Sequence, residues 1–144
     1  MDIQVKTISE LSAEELLAIF IERVAVFVVE QNCPYQEADS DDKLALHLCF
    51  KDETGLKAYA RIIDKGQYVT FGRVLVAKKA RQQNLGRKLV QRTIEEIHHR
   101  FPDKSITISA QAYLETFYAS FGFEAVSEVY LEDDIPHLDM TLSV

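Results

Sequence analysis

Residues 2–5 and 106–109 alternate between apolar and polar with the period-two spacing of β-strands, and short apolar stretches bounded by turn residues predict strands in seven segments of the chain. These segments are residues 2–8, 44–51, 56–64, 68–76, 106–109, 123–130 and 135–142. In three other segments, residues 13–24, 85–100 and 112–121, apolar residues recur every three or four positions, as on one face of a helix. The pattern predicts the element order β-α-β-β-β-α-β-α-β-β.

The first predicted helix has a clear start signal. Ser12 and Glu15 have the spacing of a capping box, in which each residue bonds the backbone of the other. The apolar stripe that we expect to be buried consists of Leu16, Leu17, Phe20, Ile21 and Val24. Helix propensity then decreases through the β-branched stretch at residues 25–29.

The connections between segments predict how the strands pair. The turns at residues 53–55 and 65–66 are short, and short turns join only antiparallel neighbours. The helix at residues 85–100 connects two strands that must be parallel if they share a sheet. We therefore expect one α/β (α+β) domain over residues 1–144, with a mixed sheet. A ligand at the start of that helix would lie at the carboxyl ends of the parallel strands.

Composition narrows the possible partners. The 144 residues carry a formal net charge of −7, which disfavours nucleic acid because polyanion binding depends on phosphate neutralisation. No apolar run is long enough to span a membrane, and the N-terminus lacks a signal-peptide pattern, so we expect a cytoplasmic protein. Cys33 and Cys49 stand apart from any metal-ligand spacing, and we expect no metal site.

Charge is distributed unevenly along the chain. Residues 78–92 contain six basic residues and no acidic residue. Because the N-terminus of a helix presents unpaired N–H groups and a positive dipole, this segment suits a phosphate group. Residues 30–42 and 124–139 are acidic and contain no Lys or Arg. These two segments are either solvated loops or a means of attracting a cationic acceptor.

Two motifs, separated by a helix and a strand, resemble those of the GNAT superfamily of N-acetyltransferases. The first runs from Arg81 to Gly86, with Asn84 in place of the first glycine of the acyl-CoA-binding signature. Asn is one of the few other residues that reach positive φ at modest cost. The second is Phe117-Tyr118 followed by Gly122-Phe123. Further positions, spread over nearly the whole chain, resemble the ElaA-like branch of the superfamily: residues 26–31, Tyr35, Asp39, Asp42, His47, residues 72–74, residues 110–111, and Ile135-Pro136-His137 with Met140.

The resemblance implies a fold and a cofactor. The sheet would have about seven strands, with helices on both faces and one splayed parallel pair. Acetyl-CoA would be the cosubstrate, and its pantetheine arm would bond the backbone of Val74, Leu75 and Val76. Arg81 would face the phosphates or shape the loop. The pyrophosphate would be held by the backbone amides of Gln82, Gln83, Asn84, Leu85, Gly86 and Arg87.

The resemblance also implies direct transfer of the acetyl group to a primary amine within a ternary complex. Tyr118 would protonate the leaving thiolate, although its position alone favours a core aromatic residue. An alkyl amine is mostly protonated at neutral pH, so a base is needed. The candidates are Glu30, His47 and His137, and ordered water is the alternative to all three.

Other functions fit the same sequence. A non-catalytic acyl-CoA-binding sensor would share the cofactor segment and would lack acetyl transfer. A polyanion-binding protein would use the basic residues between Lys78 and Arg92. The acceptor, a small molecule or a peptide amine, is not identified by the sequence. Exposed sheet edges allow a homodimer without requiring one.

Overall fold

The computed structural model describes all residues, 1–144, and contains eight strands and three α-helices. The strands are β1 (Asp2–Lys6), β2 (Leu46–Asp52), β3 (Gly55–Asp64), β4 (Tyr68–Val76), β5 (Ser105–Gln111), β6 (Glu124–Ala125), β7 (Tyr130–Glu132) and β8 (Ile135–Leu142). The helices are α1 (Ala13–Arg23), α2 (Leu85–Arg100) and α3 (Glu115–Ala119). A π-helix, Val24–Glu30, continues α1, and short 3₁₀ turns cover Ser40–Lys43, Lys78–Ala80 and Ala112–Leu114.

One mixed sheet contains all eight strands, in the order β1-β2-β3-β4-β5-β8-β6, with β7 also paired to β8. Every pairing is antiparallel except that of β4 with β5. The predicted fold class and parallel pair are confirmed. The strand count differs because predicted strand 123–130 is interrupted: residues 126–129 are exposed and lie between β6 and β7.

Helices cover both faces of the sheet. Successive residues of β3 point to opposite sides, so both faces present apolar side chains that a helix can cover. On one face, Ile19 of α1 packs with Tyr59, Cys49 and Leu75. On the other face, α2 and α3 cover a larger core that includes Ala58, Ala60, Ile62, Leu89, Val90, Ile97, Ile106 and Tyr118. The two cores fix the sheet between the helices.

The predicted burial of α1 is wrong in detail. Leu17 and Ile21 are 60% and 58% exposed, whereas Ile19 and Arg23 are buried. The buried face is therefore rotated from the predicted stripe, because a buried arginine occupies a position that an apolar pattern does not include. The β-branched stretch after Arg23 continues as a π-helix through Glu30 rather than as a regular α-helix.

The last predicted helix is shorter than expected. A 3₁₀ turn, Ala112–Leu114, leads into the five-residue α3. Gly122 ends this region with φ +101°, a conformation that favours glycine. A Cβ at this position would approach Leu142 Cδ1 to 3.1 Å, so glycine also allows β8 to lie close by.

Candidate active site

The parallel strands β4 and β5 are paired over only two registered positions, Tyr68 with Ser105 and Val69 with Ile106. Beyond these positions both strands continue without pairing to each other, so the sheet opens towards their carboxyl ends. A cavity of about 370 Å³ occupies this region, with walls from β3, β4, β5, β8, the π-helix and α3. The predicted splayed pair thus opens a cleft within the sheet.

A β-bulge interrupts β4 at the cavity wall. The β3–β4 register passes from Tyr59 opposite Leu75 to Arg61 opposite Gly72, so Arg73 and Val74 share one position. Arg73 has φ +51°, which is uncommon for a residue other than glycine. A bulge turns backbone groups away from the regular ladder. The backbone beside Val74 therefore faces the cleft region in a non-standard orientation.

The loop before α2 has the features expected of a phosphate site. Gln82 and Asn84 adopt φ values of +71° and +58°, so the expected positive φ of Asn84 is present. No side chain caps the N-terminus of α2, which leaves its first amides available. Gly86 packs against Val76, since a Cβ at Gly86 would lie 3.9 Å from Val76 Cγ2. These residues fit the pyrophosphate of a coenzyme.

Arg81 and Glu30 form a bidentate ion pair beside this loop. Arg81 Nη1 and Nη2 each donate to a Glu30 carboxylate oxygen at 2.7 Å, and Arg81 Nε donates to the Val76 carbonyl at 3.1 Å. The hydrogen bond from Arg81 lowers the pKa of Glu30. Of the two roles considered for Arg81, shaping the loop fits this geometry. Glu30 is outside the cavity wall, which argues against Glu30 as the base.

The remaining loop residues separate into exposed and packed positions. Gln83 is exposed, whereas Leu85 is buried in the main core. Arg87 Nη2 donates to Ser120 Oγ at 2.8 Å, and its guanidinium lies 4.7 Å from the centroid of the Phe121 ring. Arg87 therefore connects the start of α2 to the end of α3.

Tyr118 lines the cavity from α3. Its ring forms a triangle with Phe71 and Phe123, with centroid separations between 6.0 and 6.3 Å. Burial, with a smaller contribution from Tyr113, raises the pKa of Tyr118 to about 12. No protein group bonds the hydroxyl, so Tyr118 presents a protonated phenol to a ligand.

His137 also lines the cavity and is buried on β8. Its Nδ1 lies 2.7 Å from the Ile135 carbonyl oxygen, which can only accept, so Nδ1 carries the proton. In the tautomer that this bond selects, Nε2 has a free lone pair. Glu132 Oε2 lies 3.6 Å from Nε2 and would stabilise a proton that this nitrogen receives.

His47 occupies a structural position instead. The Asp42 carbonyl accepts from Nε2 at 3.1 Å, so Nδ1 accepts from the Tyr59 hydroxyl at 2.6 Å. Burial lowers the pKa of His47 and keeps the ring neutral. Both nitrogens are occupied and the residue does not line the cavity, so the structure argues against His47 as the base.

A buried network of ion pairs, not predicted from the sequence, holds the acidic loop on the sheet. Arg23 donates to Glu37 at 2.8 Å and to Asp42 at 2.7 Å. The complete network consists of Arg23, Arg61, Arg73, Glu37, Asp39 and Asp42. The acidic residues at 37, 39 and 42 are thus paired with arginines rather than free to attract an acceptor. The sequence contained one signal of this network, because Arg23 follows the apolar repeat of α1 at a position that the structure buries.

The remaining groups show no further site. Cys33 and Cys49 are buried, free thiols. No group of three His, Cys, Asp or Glu side chains is arranged to hold a metal ion. None of the helices has the length and apolar composition needed to cross a bilayer.

The splayed pair, the bulged strand and the uncapped α2 start together define the acyltransferase fold that the two motifs imply. The chain belongs to the acetyltransferase (GNAT) family, whose domain model matches residues 7–144. Protein ElaA of Escherichia coli strain K12 is 46% identical over 141 residues, which cover 94% of this chain and 92% of that protein. The expected ElaA-like branch is confirmed, as is the expected enzyme class of N-acetyltransferases.

Solved structures agree with this assignment. The crystal structure of E. coli ElaA superposes with a TM-score of 0.93 at 45% identity, covering 98% of this chain and 99% of that chain. An acyl-CoA N-acyltransferase from Pseudomonas aeruginosa gives 0.93 at 40% identity with the same coverage. A GNAT acetyltransferase from Elizabethkingia anophelis with acetyl-CoA bound shares the fold, with a TM-score of 0.66, 13% identity and coverage of 99% and 97%.

Proposed function

We propose that the protein transfers the acetyl group of acetyl-CoA to a primary amine by direct attack within a ternary complex. The observation that carries this proposal is the single cavity in the splayed sheet, which Val74, Tyr118 and His137 all line. A phenol, an imidazole and the bulged segment of β4 thus border one space, and the thioester carbonyl would lie at the Val74 N–H, which would polarise it. Neither cysteine offers a free thiolate for a covalent acyl-enzyme. Cys49 is buried away from the cavity, and burial raises its pKa to about 11. Cys33 lines the cavity, but its thiol donates to the Asp133 carbonyl at 3.4 Å.

The coenzyme would bind along the end of β4 and the start of α2. Backbone groups of Val74, Leu75 and Val76 would bond the pantetheine arm, and amides from Gln82 through Arg87 would hold the pyrophosphate. Arg81 would position this loop through Glu30 and the Val76 carbonyl. Bound acetyl-CoA supplies an activated acyl group, so the protein contributes mainly positioning and charge stabilisation.

Tyr118 would donate the proton that the departing thiolate requires. A thiol in water has a pKa of about 8.5, well below the pKa of this buried phenol. Proton transfer from Tyr118 therefore requires that the thiolate lie in the same apolar surroundings, which raise the pKa of the thiol as well. Burial keeps Tyr118 protonated at neutral pH, which maintains the donor. His137 Nε2 would accept the proton of the attacking amine, directly or through water, and Glu132 would stabilise the resulting imidazolium.

Replacement of Tyr118 by phenylalanine tests the proton donor. The substitution preserves the ring packing against Phe71 and Phe123 and removes only the hydroxyl. We expect kcat to fall about 100-fold, the lower range for a general acid, with little change in acetyl-CoA affinity. Phe117→Leu on the same helix is the matched control. Unchanged turnover in a folded Tyr118→Phe protein would eliminate the proposed role.

Replacement of His137 by glutamine tests the base. We expect kcat/KM to fall about 100-fold and its pH dependence to change, because the group that accepts the amine proton is lost. His98→Gln, at an exposed position on α2, is the control and should match the parent. If His137→Gln and the parent share one pH–rate profile, the proton leaves through water instead. Acetyl-CoA binding without transfer to any amine would favour the sensor function.

A further inference from the structure

The cavity has two chemically different walls. On the β3–β4 side its charged lining residues are Arg61, Lys65, Arg73 and Asp41, the last paired with Lys65 at 3.8 Å. On the β8 side the ionisable lining residues are Glu132, Asp133 and His137. These walls lie on opposite sides of the opening between β4 and β5, because Arg61 pairs with Gly72 and His137 pairs with Gln111. A bound acceptor therefore meets N–H donors on one side and the candidate base on the other.

Arg61 has unused hydrogen-bonding capacity. Arg61 is only 7% exposed. Its Nη1 donates both of its hydrogen bonds to carboxylates, to Asp39 at 2.7 Å and to Asp42 at 3.1 Å. Its Nε is buried without a partner. Glu37 Oε1, in the same network, is also buried without a partner, whereas Arg73 Nε lies 2.7 Å from Glu37 Oε2 in an ion pair. Buried polar atoms are normally paired, so the unpaired Nε of Arg61, a residue that lines the cavity, points to a ligand.

The cavity faces the donor side of this network. The carboxylates that balance the arginines, those of Glu37, Asp39 and Asp42, do not line the cavity, whereas Arg61 and Arg73 do. Arginine is the side chain best suited to bind a carboxylate, because its planar guanidinium donates two parallel hydrogen bonds to the two carboxylate oxygens. Arg73 also precedes Val74 at the bulge, so a group held there would lie next to the proposed site of the acyl carbonyl.

We infer that the acceptor is an aminocarboxylate, such as a free amino acid, whose carboxylate binds Arg61 and Arg73 while its amine faces His137. This inference rests on the proposed acetyl transfer. A diamine would leave the Arg61 donor unpaired. An aminocarboxylate satisfies the donors on one wall and presents its reacting nitrogen to the other.

Paired acceptors that differ only at the carboxylate test the inference. Each amino acid in a panel is compared with its own amide, which retains the amine and side chain. We expect kcat/KM for the amino acid to exceed that for the amide about 10- to 100-fold, the range for a lost hydrogen bond to a charged group. In Arg61→Lys this ratio should approach one, whereas the control Arg92→Lys, half-buried on α2 and outside the cavity lining, should preserve it. Amides or diamines that react as well as amino acids would overturn the inference.

A binding measurement separates this inference from the proposed function. Calorimetry in the presence of coenzyme A compares an N-acetylated amino acid with its amide on the parent protein. We expect the carboxylate to bind at least about tenfold more tightly. If no amine is acetylated, the proposed function fails, yet this difference would still support the carboxylate subsite. Equal affinities would refute the subsite. Arg73→Lys provides the second variant if Arg61→Lys does not fold.

Discussion

Replacement of Arg23 by methionine tests the buried ion-pair network. The guanidinium is fully buried and donates to Glu37 and Asp42 at 2.7–3.2 Å. Loss of one partner from a buried ion pair costs about 3–5 kcal/mol, because the other charges remain buried. We expect a cost of about 3 kcal/mol, at the lower limit, since Asp42 retains Arg61 at 3.1 Å and Glu37 retains Arg73 at 2.7 Å.

Urea denaturation followed by circular dichroism measures the free energy of unfolding of Arg23→Met and of the parent. Lys104→Met is the control, because it removes an exposed ion pair with Asp64 and should cost less than about 1 kcal/mol. Equal stability of Arg23→Met and Lys104→Met would show that the network does not hold the acidic loop. A large loss confined to Arg23→Met is the predicted result.

Two further predictions concern Asp42 and Cys49. Burial acts to raise the pKa of Asp42, but bonds from Arg23 and the Asp39 backbone outweigh it and lower the pKa overall. The ionised Asp42 carboxylate therefore stabilises the fold at pH values above its pKa in the unfolded chain, about 4. This stabilisation is lost as the pH falls through the lower pKa that Asp42 has in the folded protein. Asp42→Asn should have a lower free energy of unfolding than the parent at pH about 7 and should lose less of it on acidification. Parallel curves of unfolding free energy against pH for the two proteins would contradict this prediction. Burial raises the pKa of Cys49 to about 11, so a disulfide reagent should not label this thiol in the native protein. Rapid labelling of Cys49, mapped by mass spectrometry, would contradict this prediction.

The sequence predicted the fold well because its periodic segments are long and its turns are short. The three strands from β2 to β4 and the helix α2 were located within about two residues, the usual uncertainty of an element boundary. The interruption between β6 and β7 was missed, because Val126 and Val129 are residues typical of strands although both are exposed and lie between these strands. Strand propensity identifies residues that can form a strand, but pairing depends on which neighbours the tertiary structure provides.

The candidate site was predicted less completely than the fold. Tyr118 and His137 line the cavity, whereas Glu30 and His47 are engaged in other contacts. The pattern could not distinguish the two histidines, since both lie in strands and only the three-dimensional structure shows which one meets the cleft. The arginine network was hidden for a related reason: its members are far apart in sequence, and Arg23 occupies a position in a helix that otherwise appears apolar.

Acetyl-CoA binding by isothermal titration calorimetry tests the central claim most directly, because the splayed strands and the uncapped start of α2 must hold the coenzyme before any transfer occurs. We predict saturable binding of one acetyl-CoA per chain, with a dissociation constant in the range of about 1 μM to 1 mM that is typical of enzyme substrates. Gly86→Val, which introduces a branched side chain against Val76, should weaken this binding. A folded protein that releases no heat with coenzyme A or acetyl-CoA at concentrations of about 1 mM would contradict the account.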